Sequence, residues 1–303
     1  MLSGIFLVDK PKGKTSHDIV DIVRRKTGWK KVGHTGTLDP MATGLLVLML
    51  GKATRLLPYL SDDKEYEGTI RFGITTDTLD ADGKELTDSK CSVDSLMLQK
   101  ISSSFVGEID QVPPMVSAIK INGKPLYKLA RAGKEVERKA RRVTIYALDL
   151  IDLDEMSDHP KVDFRVACSK GTYVRVLAFD IGEKLGCGAH LERLKRTRSG
   201  KFSLDEAITV NEFNRLSTDE LEDELLISPR DALDYTEIIV DGRGEQDISQ
   251  GLPVKVGISQ DGSNRFDNNG FASVVGPSGD LIAVAAISCV NGEVMLRPKT
   301  VLI

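Results

Sequence analysis

The sequence predicts an α+β fold with a mixed or antiparallel central sheet, followed by a small, barrel-like β domain. Strand-like and helix-like periodicities alternate irregularly, and two strand-like segments, residues 143–153 and 162–169, face each other across an acidic turn. From about Leu233 the chain changes to short apolar runs broken by glycine and asparagine. We therefore expect a larger domain over residues 1–232 and a β domain over residues 233–303.

The first part of the larger domain is predicted to bring a loop to the end of a buried strand. The apolar run 5–8 predicts a short strand, and Ser16 is the expected cap of a helix with apolar residues at helical spacing. A glycine-punctuated loop, residues 33–44, leads into the apolar run 45–50, which is typical of a fully buried strand. Polar loops carried by buried strands are common places for chemistry.

The remaining elements follow from the same periodicities. We predict a strand over residues 64–72, helices over 93–105, 125–132 and 174–185, and an acidic helical connection over 211–226. Gly186 is placed to end the helix before it. In the β domain the predicted strands are residues 238–240, 254–256, 271–275, 281–287 and 294–299.

Composition narrows the class of protein. The chain has 303 residues, of which 41% are hydrophobic, and no stretch approaches the roughly 20 apolar residues that span a bilayer. We expect a cytoplasmic protein that does not use a membrane. The 4 cysteines are scattered and form no CxxC pair, which favours reduced thiols over a disulfide framework or a zinc site.

Positive charge is concentrated despite a net charge of -4. Three segments, residues 10–33, 120–142 and 183–201, carry 8, 9 and 6 Lys/Arg against 2 acidic residues each. Such segments can form one basic face for a nucleic acid, although a solvated helix surface is the alternative interpretation of any one of them.

Several familiar motifs are absent or incomplete. The glycine–lysine spacing over residues 44–52 has six apolar residues where a phosphate loop needs four. Cys187 and His190 lack a second cysteine pair, so they indicate neither structural zinc nor a zinc deaminase. The sequence also lacks the GxSxG elbow of many hydrolases. The loop of residues 33–44, with Asp39, His34 and three glycines, remains as the candidate functional segment. Taken in isolation, Asp39 before Pro40 is also compatible with a plain turn.

The segment GHTGTLDPMATG resembles the catalytic loop of the TruB family. Further segments agree with the family in the same order over residues 4–202, among them KPKGKTSHD, EYEGTIRFGITTDTLDADG, QVPPMVSAIKINGKPLYKLARAGKEVE and GTYVRVLAFDIGEKLGCGAHLERLKRTRSGKF. The resemblance implies the pseudouridine-synthase fold and isomerisation of the uridine at position 55 in the tRNA T loop. The C-terminal domain is similar in texture to the family's PUA-type RNA-binding domain.

The resemblance also implies a catalytic set. Asp39 matches the family's catalytic aspartate. That residue is assigned the role of a nucleophile at ribose C1′ or at uracil C6, or of a charge that assists bond breaking. Arg175 matches the arginine that pairs with this aspartate, which suits a carboxylate in a dry pocket. Tyr66 matches the tyrosine that stacks on the target base and serves as a base in the rearrangement.

Residues that contact RNA are implied in the same way. His34 matches the residue that fills the gap left by the flipped uridine, Leu194 an apolar residue that packs on the uracil, and Lys10 a residue bordering the site. Tyr173 belongs to the same RNA-binding set. An insertion over residues 107–142 resembles the segment that closes over the RNA, with basic residues for the phosphates, namely Lys120, Arg131 and Arg141.

The reaction adds no group and changes no oxidation state, so we expect no cofactor and no metal. The expected partner is the T arm of tRNA, bound by a monomer without an obligatory protein partner. A non-catalytic tRNA-binding protein or folding chaperone is the alternative, because binding and base flipping do not require Asp39. The combination of Asp39, Tyr66 and Arg175 favours the enzyme.

Overall fold

A computed structural model describes residues 3–117, 119–121, 123–256, 270–290 and 293–303. Its helices are α1 Ser16–Thr27, α2 Ser95–Ser103, α3 Leu126–Arg131, α4 Val174–Leu185, α5 Val210–Arg215, α6 Thr218–Leu225 and α7 Gly242–Ser249. Its strands are β1 Gly4–Lys10, β2 Val32–His34, β3 Thr43–Leu50, β4 Lys64–Phe72, β5 Ile74–Thr76, β6 Glu85–Asp88, β7 Gly107–Gln111, β8 Lys120–Ile121, β9 Lys124–Pro125, β10 Arg141–Asp154, β11 Lys161–Cys168, β12 Ala189–Ser199, β13 Phe202–Ser203, β14 Ile208–Thr209, β15 Glu237–Ile239, β16 Val254–Val256, β17 Phe271–Val275, β18 Leu281–Val290 and β19 Glu293–Val301. Two 3₁₀ helices span Gly51–Tyr59 and Leu204–Glu206.

A large mixed sheet forms the frame of the larger domain. Its order is β14-β1-β3-β12-β4-β11-β10-β7, with β2 beside β3 and β13 beside β12. The pairs β1–β14 and β3–β12 are parallel, and the other pairs are antiparallel. The acidic turn joins β10 to β11 as an antiparallel pair. The predicted α+β class with a mixed sheet is therefore confirmed.

Strands β1 and β3 lie deep in this sheet because both faces are covered. They pair antiparallel from Gly4 opposite Leu50 to Lys10 opposite Gly44, and nearly every residue is buried. A strand buried on both faces reads as a continuous apolar run, which explains why this part was predictable. The pairing brings Lys10 and the loop before β3 to the same end of the sheet.

Helix α1 begins one residue earlier than the sequence pattern indicated. Its cap is Thr15, whose side chain accepts the amide of Asp18 while Asp18 accepts the amide of Thr15. The prediction of Ser16 as cap was wrong, because Ser16 is buried and bonded elsewhere. Its hydroxyl accepts the amide of Leu38 at 2.8 Å and donates to the Leu38 carbonyl at 3.2 Å. Ser16 thus ties α1 to the loop of residues 33–44.

Strand β12 is central to the sheet although the sequence pattern did not predict it. It lies between β3 and β4, and six of its eleven residues are charged or histidine. Two of these, His190 and Arg196, are nevertheless buried. Because charged residues occupy buried positions, β12 lacks the regular alternation of apolar and polar residues by which strands are predicted.

The C-terminal domain contains a five-stranded sheet in the order β15-β17-β18-β19-β16, which fits a PUA-like domain. It docks on the 3₁₀ helix that follows β3. The Tyr59 ring meets Phe271 edge-on with 5.4 Å between centroids, and its hydroxyl lies 3.0 Å from that of Thr300. Arg55 donates to the Val301 carbonyl at 2.9 Å.

The boundary at residue 232 stays a prediction. None of the helices in the described part of the chain is long and apolar enough to cross a membrane.

Candidate active site

An ion pair between Asp39 and Arg175 forms the centre of the site. Arg175 lies in the first turn of α4, and its Nε is 2.9 Å from Asp39 Oδ2. The arginine side chain is only 4% exposed, whereas that of Asp39 is 38% exposed. The carboxylate is therefore open to a ligand while its partner is fixed inside the protein. The structure brings these two predicted residues together.

Arg175 is held by three further acceptors. Its Nη1 donates to the Thr78 carbonyl at 2.8 Å and lies 3.4 Å from the carboxylate of Asp80, while Nη2 donates to the Val116 carbonyl at 2.8 Å. Asp80 is a buried residue that the sequence analysis did not single out. Burial raises the pKa of Asp80, and the nearby Asp39 charge adds to this effect while Arg175 opposes it. The guanidinium therefore joins one exposed and one buried carboxylate.

Main-chain bonds fix the loop that carries Asp39. The Ala42 amide donates to the Asp39 carbonyl at 3.1 Å, and the Gly13 amide donates to the Pro40 carbonyl at 2.8 Å. Lys10 borders the loop, and its buried ammonium donates to the Lys14 and Pro11 carbonyls at 2.7 and 3.0 Å. Burial lowers the pKa of Lys10 to about 8, although the Asp39 charge acts in the opposite direction.

Tyr66 and Leu194 lie on neighbouring strands beside this loop. Tyr66 is on β4, buried, and close enough to Asp39 for the carboxylate charge to act on the phenol. Leu194 is on β12, opposite Gly68, and its carbonyl accepts the Thr43 hydroxyl at 3.4 Å. Leu194 also lines a cleft of about 510 Å³ together with Met41 and Thr43. Both predicted residues therefore lie next to the Asp39 loop.

His34 is the last residue of β2, opposite Leu48 of β3. Its Nδ1 is buried and makes no hydrogen bond within the described part of the chain. Burial lowers the pKa of His34, and the positive charge of Arg196 acts in the same direction. The imidazole is therefore mostly uncharged near neutral pH.

The predicted RNA-gripping residues are only partly described. Tyr173 caps α4 and is fixed by Gln111, whose amide oxygen accepts the Tyr173 amide at 3.0 Å. Arg141 begins β10 opposite Gln111 and is exposed. The side chains of Lys120 and Arg131 lie outside the described part of the structure.

Sequence reasoning missed two buried charged residues, Asp80 and Arg196. Asp80 stands in the turn-rich segment after β5, and Arg196 lies within β12. A charged residue in a turn or an amphipathic segment is normally exposed, so neither had a signal of its own. Within the described ranges, no group of three or more His, Cys, Asp or Glu residues is arranged to hold a metal ion.

Comparison with solved structures defines the class of fold. A chain in the crystal structure of a Cbf5–Nop10–Gar1 complex superposes with a TM-score of 0.71 over 99% of this chain and 85% of that chain, at 24% sequence identity. A chain of an archaeal box H/ACA sRNP Nop10–Cbf5 complex gives 0.67 over 99% and 86%, at 22% identity. The molecule therefore has the pseudouridine-synthase fold.

Sequence comparison gives the family. The model described as TruB family pseudouridylate synthase (N terminal domain) matches residues 24–174, and that of the tRNA pseudouridylate synthase B C-terminal domain matches residues 175–234. A relative named tRNA pseudouridine synthase B from Geotalea uraniireducens is 49% identical over 83% of this chain and 81% of its own length. Another of that name, from Syntrophotalea carbinolica, is 44% identical over 92% and 90%. This chain belongs to the TruB family, and the resemblance found in the sequence is confirmed.

Proposed function

We propose that this protein is an isomerase that converts uridine to pseudouridine in tRNA, and that its target is the uridine at position 55 of the T loop. The observation that carries this proposal is the open Asp39 carboxylate paired at 2.9 Å with a buried arginine. Family membership supports the reaction, and the names of the relatives support tRNA as the substrate. The position within the tRNA rests on the resemblance of the catalytic loop.

The reaction breaks the bond between ribose C1′ and uracil N1 and joins C1′ to C5. The proton on C5 leaves, N1 gains a proton, and no oxidation state changes. Acid–base and electrostatic groups therefore suffice. Asp39 supplies the carboxylate, Arg175 fixes it, and Tyr66 lies under the base as a stacking surface and a proton acceptor. Leu194 provides an apolar contact for the uracil.

The target uridine must leave the loop stack before it can reach Asp39. His34 is suited to fill the vacated space, because an uncharged imidazole can be desolvated between bases at a smaller cost than a charged one. Lys10 and Tyr173 border the site, while Lys120, Arg131 and Arg141 would contact phosphates from the insertion. We further propose that the protein acts as a cytoplasmic monomer, without a cofactor.

An unmodified T-arm hairpin incubated with the protein and a chelator tests this function. Pseudouridine is detected as a carbodiimide adduct that survives alkali at the target position. Asp39→Asn should abolish product while RNA affinity stays within roughly tenfold, about 1.4 kcal/mol. Asp152→Asn is the matched control, because Asp152 is exposed and has φ 51°, which asparagine tolerates. Absence of product with the unaltered protein would refute the proposal, and unfolding of Asp39→Asn would make Asp39 a structural residue.

A further inference from the structure

Arg196 closes the loop that carries Asp39. Its side chain is fully buried, its Nε donates to the Leu45 carbonyl at 2.7 Å, and its Nη2 donates to the Gly36 carbonyl at 3.1 Å. These two carbonyl groups stand on either side of Asp39 in the sequence. Gly44 allows the close approach, since a Cβ there would lie 2.3 Å from the Arg196 carbonyl oxygen. One guanidinium therefore holds both ends of the loop.

The third nitrogen of this guanidinium is not used by the fold. Nη1 is buried and makes no hydrogen bond of good geometry within the described part of the chain. No carboxylate of the described residues forms an ion pair with Arg196. A buried charge without a carboxylate partner is costly, so its presence calls for an explanation.

Tyr66 is the cross-strand neighbour of Arg196. Arg196 on β12 and Tyr66 on β4 stand directly opposite each other in an antiparallel pair, so their side chains share one face of the sheet. Gly36 leaves room there, since a Cβ would lie 3.4 Å from Nη1. The same cation thus holds the Asp39 loop and lies beside Tyr66 across the strand pair.

The charges around the phenol oppose one another. Burial raises the pKa of Tyr66, and the negative charge of Asp39 acts in the same direction. The positive charge of Arg196 acts in the opposite direction and lowers that pKa. Lys10 and Lys64 are the other cations near Arg196.

We infer that Arg196 is a positioning residue that acts through Tyr66: it holds the phenol against the Asp39 loop and stabilises the phenolate form of this side chain. The inference rests on the proposed isomerase function. In the step concerned, the phenolate oxygen takes the proton from C5 after C1′ has been joined there. The electrons of that C–H bond form the C5=C6 double bond, the electrons of the C6=N1 double bond return to N1, and N1 takes up a proton from solvent. The phenol then returns its own proton to solvent.

The first test is a titration that a merely structural arginine would not affect. The protein is prepared with 3-fluorotyrosine, which makes the phenols more acidic, and the ¹⁹F resonance of Tyr66 is assigned by its loss in Tyr66→Phe. Arg196→Gln should raise the titration midpoint of this resonance by about one pH unit or more. Arg198→Gln, on the same strand but in an exposed pair with Glu65, should leave it unchanged.

The second test is a double-mutant cycle of single-turnover rates on the T-arm hairpin. Arg196→Gln should slow the unaltered protein by about tenfold or more, but should slow Tyr66→Phe by no more than about twofold. An unchanged midpoint, or equal slowing in both backgrounds, would overturn the inference and leave Arg196 as a clasp of the loop. If Arg196→Gln does not fold, Arg196→Lys should give a smaller midpoint shift in the same direction, and no shift overturns the inference. An inactive unaltered protein would instead refute the proposed function.

Discussion

Replacing Arg175 by methionine should destabilise the protein in a pH-dependent manner. The substitution removes the only ion-pair partner that the described residues offer the buried Asp80, whose side chain is 7% exposed. Breaking a buried pair by removing one partner costs about 3–5 kcal/mol, because the remaining charge is left uncompensated. The second carboxylate adds little to this cost, since the Asp39 side chain is 38% exposed and water can replace the lost partner.

The pH dependence follows from the pKa of Asp80. Burial raises this pKa, and in the unaltered protein the charge of Arg175 acts in the opposite direction. Without Arg175 the pKa in the folded protein should rise further above its unfolded value. Such a carboxyl group is tolerated while protonated, so the variant is most stable at low pH and loses stability as the pH rises through the folded pKa. The loss should grow by about 1.4 kcal/mol per pH unit between the unfolded and the folded pKa of Asp80, and should be constant above the folded pKa.

The measurement is urea unfolding at about pH 5.5 and about pH 8, followed by circular dichroism. The second variant, Arg175→Met with Asp80→Asn, removes the uncompensated charge and should regain roughly 2 kcal/mol at the higher pH without regaining activity. An equal loss at both pH values, unaffected by Asp80→Asn, would show that Arg175 stabilises the fold only through its main-chain hydrogen bonds.

Three further predictions concern the loop, its lysine and the docked domain. Gly44→Ala should lower the free energy of unfolding, measured in urea, by about 2–3 kcal/mol. The reason is that Gly44 has φ +97° and that a Cβ there would overlap the Arg196 backbone. An unchanged free energy of unfolding would contradict this geometry. The pKa of Lys10 is lowered to about 8, so the folded state disfavours its charged form, and the protein should gain stability relative to Lys10→Met as the pH rises above about 8. Parallel pH curves for the two proteins would refute this. Tyr59→Ala should cost about 2 kcal/mol through the lost contact with Phe271, and Tyr59→Phe about 1 kcal/mol or less.

Elements with one dominant apolar pattern could be predicted from the sequence, even where they bury one charged side chain as α4 does, whereas β12, in which six of eleven residues are charged or histidine, could not. Helix α4 has the predicted bounds, Val174–Leu185, because its periodicity is regular and Gly186 takes the left-handed conformation that ends it. Strand β12 was missed, because it buries His190 and Arg196, which are residue types that normally lie at the surface. The 3₁₀ helix Gly51–Tyr59 was also missed, since its apolar residues follow β3 without a break that marks a new element.

The site shows the same division. The loop around Asp39 attracted attention because glycines, a histidine and a carboxylate stand close together in the sequence. Its pairing with Arg175 came from the family resemblance alone, since the two residues are far apart along the chain. The contacts of Asp80 and Arg196 depend on which strands become neighbours, and local composition contains no information about that. The roles proposed for the RNA-binding residues stay predictions.

Every residue from Thr43 to Tyr59 belongs to a strand or a helix, 8 residues in β3 and 9 in the 3₁₀ helix. The loop that carries Asp39 therefore connects to the C-terminal sheet through continuous hydrogen-bonded structure instead of a slack tether. The distance between the Asp39 loop and the C-terminal sheet is therefore set by the fold. An RNA that contacted both would therefore have to match this separation.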